Sequence, residues 1–418
     1  MSTVGSPTDS TVAAGGWGER LRSLRAAMVA HGIGFRIPIF TWGTAYFLLW
    51  CYRTLFSVLG EVIIARFTSI ADTRSYQRQG ITNLVDQLGA SSSEVGFLAQ
   101  SLATSITKVV GGLIGFVTFG NAIAVNIGFQ TIGFIGLLAL LRAVDPQERK
   151  ALYAMVMLPS ITVWSSIASK EALLFFFVGI VCAHVVRIYK NTDRPSVLLF
   201  VCVVMVWVFK PHFMPAVILL LSVSYVARRF DQKATLALLA LGASLFVLYV
   251  FRDQVDEFAR YVDWALLSMG GNSARDPFIV EKYDVFLKAP LGMYLSFMGP
   301  TLAEASKGVL HIITFSESLF ILALMLFFFL KRLPSIPVYS LILSMSVLFW
   351  ILFTTYPPAV SNPGTAIRYR TGYILIVFIC AVVLPSRGIY VEWLRGWRLR
   401  AVARSFAKAL PAAARPTG

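Results

Sequence analysis

Residues Leu158–Leu174 read LPSITVWSSIASKEALL, and the fold turns on how that stretch is placed. The chain is mostly apolar from Leu152 to Trp164, meets Lys170 and Glu171 side by side, and is apolar again to Val186 apart from His184. Charged side chains cost about 2.5–3.5 kcal/mol each at bilayer depth on insertion scales. The least costly placement is two membrane helices joined by a tight turn at one surface, with the charged pair at its tip. A Ser-Ser start and a Lys-Glu finish, with almost no loop between them, predict a fixed turn.

The rest of the chain has the composition that such a hairpin needs. Of the 418 residues 57% are hydrophobic and 14% charged, and mean hydropathy is +0.72. Those values exclude an ordinary soluble domain and indicate an all-α integral membrane protein. The short alternating segments of a β-barrel are absent. The first 35 residues lack a signal peptide's short apolar core and cleavage site, so the first helix is expected to stay. Cys51, Cys182, Cys202 and Cys380 all fall in apolar runs, which points to neither disulfides nor a zinc site.

Ten membrane helices are expected. Residues 1–36 form a tail whose Trp17, Leu21, Leu24 and Met28 recur at helical spacing between arginines, the pattern of a basic interfacial helix. A polytopic membrane domain occupies 37–386, beginning with a helix at about Ile37–Leu59. A long loop spans about 60–105, and the Gly-rich segment Ile106–Phe119 reads as a re-entrant or surface helix. Further helices are expected at Asn121–Leu141, on both arms of the opening hairpin, and at Val197–Phe209, Met214–Ala227 and Ala234–Phe251. A second long loop, about 252–309, carries amphipathic pieces. Helices at Ile312–Leu330, Val338–Thr354 and Thr371–Leu384 lead to a basic tail, 387–418.

The net charge of +16 is unevenly spread. With both termini cytoplasmic, 22 of the 37 Lys and Arg fall inside and every short inside loop is basic, as the positive-inside rule requires. The excess cation therefore reads as topology in the cytoplasmic (inner) membrane and not as nucleic-acid binding. Five polar features then face the extracytoplasmic side. They are Ser69–Gly80 (SIADTRSYQRQG), Lys170-Glu171, Lys210 with His212, the loop 252–309, and Arg368-Tyr369-Arg370. Arginine grips phosphate oxygens with a planar fork and lysine supplies a point charge. Cations gathered beside a carboxylate at a membrane surface suit a lipid-linked phosphate or diphosphate, with the carboxylate as general base on an incoming hydroxyl. Each member also has a plainer reading: Asp72 as a helix cap, Lys170–Glu171 as a hairpin-tip ion pair, and Lys210 and His212 as snorkelling residues. Arg368 and Arg370 would then be headgroup anchors, and Arg53 a partner for Glu61.

Three motifs carry a family resemblance. They are ADTRSY, with Asp72 four residues before Tyr76; PSITVWSSIASKEALL (Pro159–Leu174); and NPGTAIRYR (Asn362–Arg370). Over about residues 37–385 the chain resembles the GT-C superfamily of membrane glycosyltransferases and the related bacterial polysaccharide (O-antigen) polymerases. The resemblance implies a GT-C-like fold and transfer of a sugar from a polyprenyl-phosphate donor in cell-envelope polysaccharide or glycolipid assembly, beside other assembly proteins. It implies Asp72 as base and Glu171 orienting Lys170 or touching sugar. Lys170, Arg368 and Arg370 would hold donor phosphate, with Tyr76, Arg74, Arg78, Lys210, His212 and Tyr369 around them. Arg74 and Arg78 with Lys170, and Arg368 and Arg370 with Lys210, would serve as the two anionic sites of a polymerase joining undecaprenyl-diphosphate-linked units. No cofactor is implied, and the acidic pair that would hold a divalent metal is missing, since Thr73 and Arg74 come directly after Asp72. A transporter or flippase would instead place charges at mid-helix and repeat one half of the chain in the other. Here the charges sit at helix ends and the halves do not match.

Overall fold

Helix starts in this chain are set by polar caps in the local sequence. Asn121 accepts from the Ala124 amide (3.0 Å), Ser169 from Ala172 (3.1 Å), Ser196 from Leu199 (3.2 Å) and Asn362 from Gly364 (2.8 Å). The computed structural model describes residues 42–64, 73–78, 95–190, 196–226, 233–268, 274–333 and 336–386. Among these there is no strand, and nearly all residues are helical. The chain divides into two units, residues 1–49 and 50–418. Among the described residues the first unit holds only the opening turns of one helix, from residue 42 to 49, and the second holds all the rest.

The main helices are α1 (Trp42–Leu59), α2 (Val95–Val117), α3 (Ala122–Ala143), α4 (Pro146–Val156), α5 (Pro159–Trp164) and α6 (Lys170–Tyr189). They continue as α7 (Val197–Phe209), α8 (Met214–Val226), α9 (Lys233–Val250), α10 (Arg252–Ser268) and α11 (Ala289–Met298). The last three are α12 (Val309–Arg332), α13 (Val338–Val360) and α14 (Pro363–Phe378), with a π-helical extension at Ile379–Val383. Six helices among the described residues are long and apolar enough to cross a membrane: α3, α6, α9, α12, α13 and the α14 segment to Ser386. The sequence reading has ten; of the other four, α7 and α8 are shorter, the first hairpin arm is split into α4 and α5, and α1 is described only from Trp42.

The expected hairpin departs from two straight arms. Its first arm is broken into α4 and α5 at Met157–Leu158, because Pro159 has no amide to continue the ladder. Lys190, just past α6, pairs with Asp145 (2.8 Å) and donates to the Ala143 carbonyl. Asn126, near the start of α3, accepts from Ala168 just before α6. Helices α3 and α6 therefore run parallel, and the broken arm covers the same depth in the opposite direction. The α3–α6 contact is made by glycines: a Cβ on Gly136 would stand 2.5 Å from the Phe176 Cα, and one on Gly179 would stand 2.6 Å from the Gly136 carbonyl carbon.

Around this pair, α14 and its extension are the most enclosed, with 89% of the apolar window buried, whereas α9 has 6% buried. The central helices α3, α6 and α14 bury Asn126, Gln130, Glu171, His184 and Arg370, and α9 and α12 present apolar surface outward. Other expectations change at element ends. The Gly-rich segment belongs to the 23-residue α2, which takes in Val95–Ser105 of the expected first long loop. Helix α13 runs through Pro357 and Pro358 to Val360 although each proline removes a ladder bond. The expected basic interfacial helix and the tail 387–418 lie outside the described residues.

The second loop is helical and stapled to α13. Arg275 directs its guanidinium to both Glu304 oxygens (2.7 Å each), the Val360 carbonyl (2.7 Å) and the Gly299 carbonyl (2.6 Å). Asp263 accepts from the Phe278 and Ile279 amides (3.0 and 2.9 Å) and from the Ser361 hydroxyl. Burial would raise the Glu304 carboxyl, but the Arg275 fork and the Thr301 cap outweigh it and hold it down to about 2.

This packing gives two expected outcomes. Gly136→Leu should lower stability by about 3 kcal/mol, the upper end of overpacking costs, because backbone atoms cannot yield as side chains do; the thermal midpoint in detergent measures it. Glu304 has a depressed folded-state value, so its contribution is present above its ordinary range near 4.5 and fades as pH falls toward 2. Glu304→Gln should destabilise at neutral pH and show a flatter loss of stability on acidification over that window.

Candidate functional site

The turn Ser165–Ser169 is held from every side. Arg53 Nη2 donates to the Ser165 carbonyl (2.9 Å) and hydroxyl (3.0 Å), and Ser57 donates to the Ser166 carbonyl (2.7 Å). Asn126 receives the Ala168 amide (2.8 Å), and Ser169 caps α6 while donating to Trp164 (2.9 Å). The sequence reading pairs Arg53 with Glu61; in the structure it turns inward because Ser165 and the Phe175 ring, 5.4 Å away, occupy its helix face.

Next to this turn α6, α7 and α14 bring their charged residues together. Glu171 is fully buried, and its Oε1 meets Arg368 Nε at 2.8 Å and Lys210 Nζ at 3.8 Å. Aromatic walls hold the cations: Lys210 Nζ lies 3.5 Å from the Tyr369 ring centre, and the Arg368 guanidinium lies 5.6 Å from that of Trp164. The His212 ring sits 5.8 Å from Tyr369 and 4.9 Å from Phe213. Lys170, the first residue of α6, is partly exposed. Among the described residues two cations meet this one carboxylate, and they are the more accessible partners, with side chains 19% (Arg368) and 10% (Lys210) exposed against none for Glu171.

Arg370 does not join this cluster. Residues two apart on a helix point about 200° from each other, so Arg370 leaves on the opposite side of α14 from Arg368. There it donates to the Phe297 carbonyl (3.0 Å), to the Ser318 hydroxyl and to the Ser160 hydroxyl (3.4 Å). Glu317 accepts from the Ser160 amide with both oxygens (3.1 and 3.2 Å). The Arg-Tyr-Arg segment is also not the loop that the sequence suggests: Asn362 and Pro363 start α14 ahead of it.

On the other flank of the turn lies a polar cavity of about 450 Å³ lined by Glu61, Arg74, Gln77, Gly120 and Ala122. Gln77 donates to Glu61 (2.8 Å) and to Asn126 (3.0 Å), which in turn holds Ala168, so a chain of hydrogen bonds joins this cavity to the turn. Tyr76 is buried in the same helix, Thr73–Arg78, while the Arg78 side chain and all of Asp72 lie outside the described residues. Among the described residues no group of three metal-ligating side chains gathers.

Several members escape the sequence reading. Asn126 and Gln130 are polar residues in an apolar run and Glu317 is a lone acid in another; each oddity is the usable signal. Trp164 carries no such mark. Comparison with protein-family models, with curated proteins and with solved structures gives no match to this chain.

The ion cluster makes a stability prediction independent of any activity. Glu171→Gln leaves two cations buried without their carboxylate and should cost about 3–5 kcal/mol. Adding Lys210→Met to that variant should recover part of the loss, a coupling that thermal midpoints of the double-mutant cycle would read.

Proposed function

We propose that this chain is a membrane glycosyltransferase drawing on a polyprenyl-phosphate-linked sugar at the extracytoplasmic face of the cytoplasmic membrane, in cell-surface polysaccharide or glycolipid assembly. One observation carries the reading. Arg368 and Lys210, from separate helices, are pinned by a buried Glu171 beside an immobilised turn, with Lys170 at its edge. Such a patch suits a phosphate arriving on a lipid. In the proposed reaction the acceptor hydroxyl oxygen forms a bond to the anomeric carbon as the carbon–oxygen bond to phosphate breaks. Asp72 takes the hydroxyl proton, and Arg368, Lys210 and Lys170 stabilise the departing polyprenyl phosphate. Glu171, enclosed and occupied by two cations, positions them and does not itself reach the sugar. Arg370 and Tyr76 are support for the walls.

A second reading rests on the cavity at Arg74 and Glu61. Cationic groups on both flanks of one turn also suit a polymerase, which must hold two lipid diphosphates at once.

Reconstituted protein given a polyprenyl-phosphate sugar and acceptor should release polyprenyl phosphate. Arg368→Lys, which keeps a charge for Glu171 but loses the fork, should reduce the rate by about 100-fold, the scale for losing one transition-state donor. Asp72→Asn should abolish release at unchanged abundance. Transbilayer movement of the lipid without any release would identify a carrier instead.

A further inference from the structure

Helix α10 is amphipathic in an inverted sense. Its inward face carries Asp256, Ala259 and Asp263, all buried, and the two acids are taken up in holding the loop: Asp256 accepts from the Tyr283 amide (2.7 Å) and Asp263 from Phe278 and Ile279. The opposite face presents Phe258, Tyr261 and Trp264, which are 64%, 63% and 67% exposed. Gln254 and Glu257 share that outward side at its first turns, and Arg260 and Lys282 flank the helix, paired with Asp256 and Asp253. Water-facing helices do the reverse, turning acids out and rings in.

The surroundings say what covers these rings. Helix α10 begins one residue after α9, an apolar helix that is almost entirely outward-facing, and exposed Tyr249 and Phe251 carry its apolar surface across the junction. Lys233 near Tyr339 and Trp350 bonded to Ser244 set α9 parallel to α13, whose far end meets Arg275 and Asp263. The α9–α10 junction is therefore at the end of the bundle that also carries Glu171, Lys210 and Arg368. Tyrosine and tryptophan with one apolar and one polar edge belong at the headgroup level of a bilayer.

We propose that α10 lies in the plane of the membrane interface, with Phe258, Tyr261 and Trp264 inserted among the lipids, Asp256 and Asp263 turned to the protein, and Asp253 and Glu257 at the headgroup level. The α10 part of the second long loop is thus a lipid-seated rim, while the segment around Asp276 faces water. The charges beside the rings are mixed in sign, so the contact is with the acyl–headgroup boundary and needs no anionic lipid.

Nitroxides on Phe258→Cys, Tyr261→Cys and Trp264→Cys test this in phosphatidylcholine liposomes, in a Cys51→Ser background since the other cysteines are buried. Oxygen should collide with these three labels more often than a water-soluble nickel chelate does, the reverse of the order at Asp276→Cys on the exposed part of the same loop. Nickel collisions as frequent at the three sites as at Asp276 would overturn the proposal. Protection from both reagents would overturn it too, because it would mean that protein covers the face. Should a label prevent folding, brominated phosphatidylcholine should quench the unlabelled chain more than Trp264→Phe, and equal quenching would count against it.

Discussion

A charge buried in a membrane-embedded bundle has to be answered by another group, and in this chain Arg53 and Glu171 are answered at or beside one turn, with Arg370 tied to the helix that leads into it. Arg53 is tied to Ser165, Glu171 to Arg368 and Lys210, and Arg370 to Ser160, Ser318 and a carbonyl of α11. Desolvating each alone would cost several kcal/mol. Because their partners come from segments far apart in sequence, the need to pair them fixes which helices meet. Glycines at 133, 136 and 179 then let α3 and α6 approach closely enough to bring Asn126 onto the turn.

The same pairing produces the candidate site. A carboxylate clamped between two cations cannot act readily as a base, but it can hold an arginine and a lysine in one place. The aromatic rings of Trp164 and Tyr369 limit where those cations can move. On the other flank, Gln77 and Asn126 join a polar cavity to the same turn through hydrogen bonds. The candidate site and the fold therefore share the same five residues of backbone.

Much of this is legible in the residues themselves. The cost of Lys170-Glu171 at bilayer depth locates the turn, and loop charge places Lys210, His212 and Arg368 near it. The pairings are not legible. Nothing in the spacing of Arg368 and Arg370 says that they part company until Asn362-Pro363 is seen to begin a helix before them, after which 100° per residue separates them. Arg53 looks toward Glu61 only because both lie near one helix end; the tertiary contact with Ser165 decides otherwise. The break between α4 and α5 is signalled by Pro159 and masked by the apolar run around it. Ten apolar segments are visible in the sequence, and six described helices are both long and apolar enough to cross a membrane; α7 and α8 stop short at 13 residues each.

The claim on which the functional reading rests is that the Glu171–Arg368–Lys210 cluster receives a lipid phosphate. A polyprenyl phosphate bearing a photoreactive group next to its phosphate would test it most directly. Irradiation of the reconstituted chain, then peptide mapping, should place the adduct on Trp164, His212 or Tyr369, and excess unlabelled polyprenyl phosphate should suppress it. Adducts confined to the outward apolar faces of α9 and α12, or insensitive to competitor, would contradict the assignment.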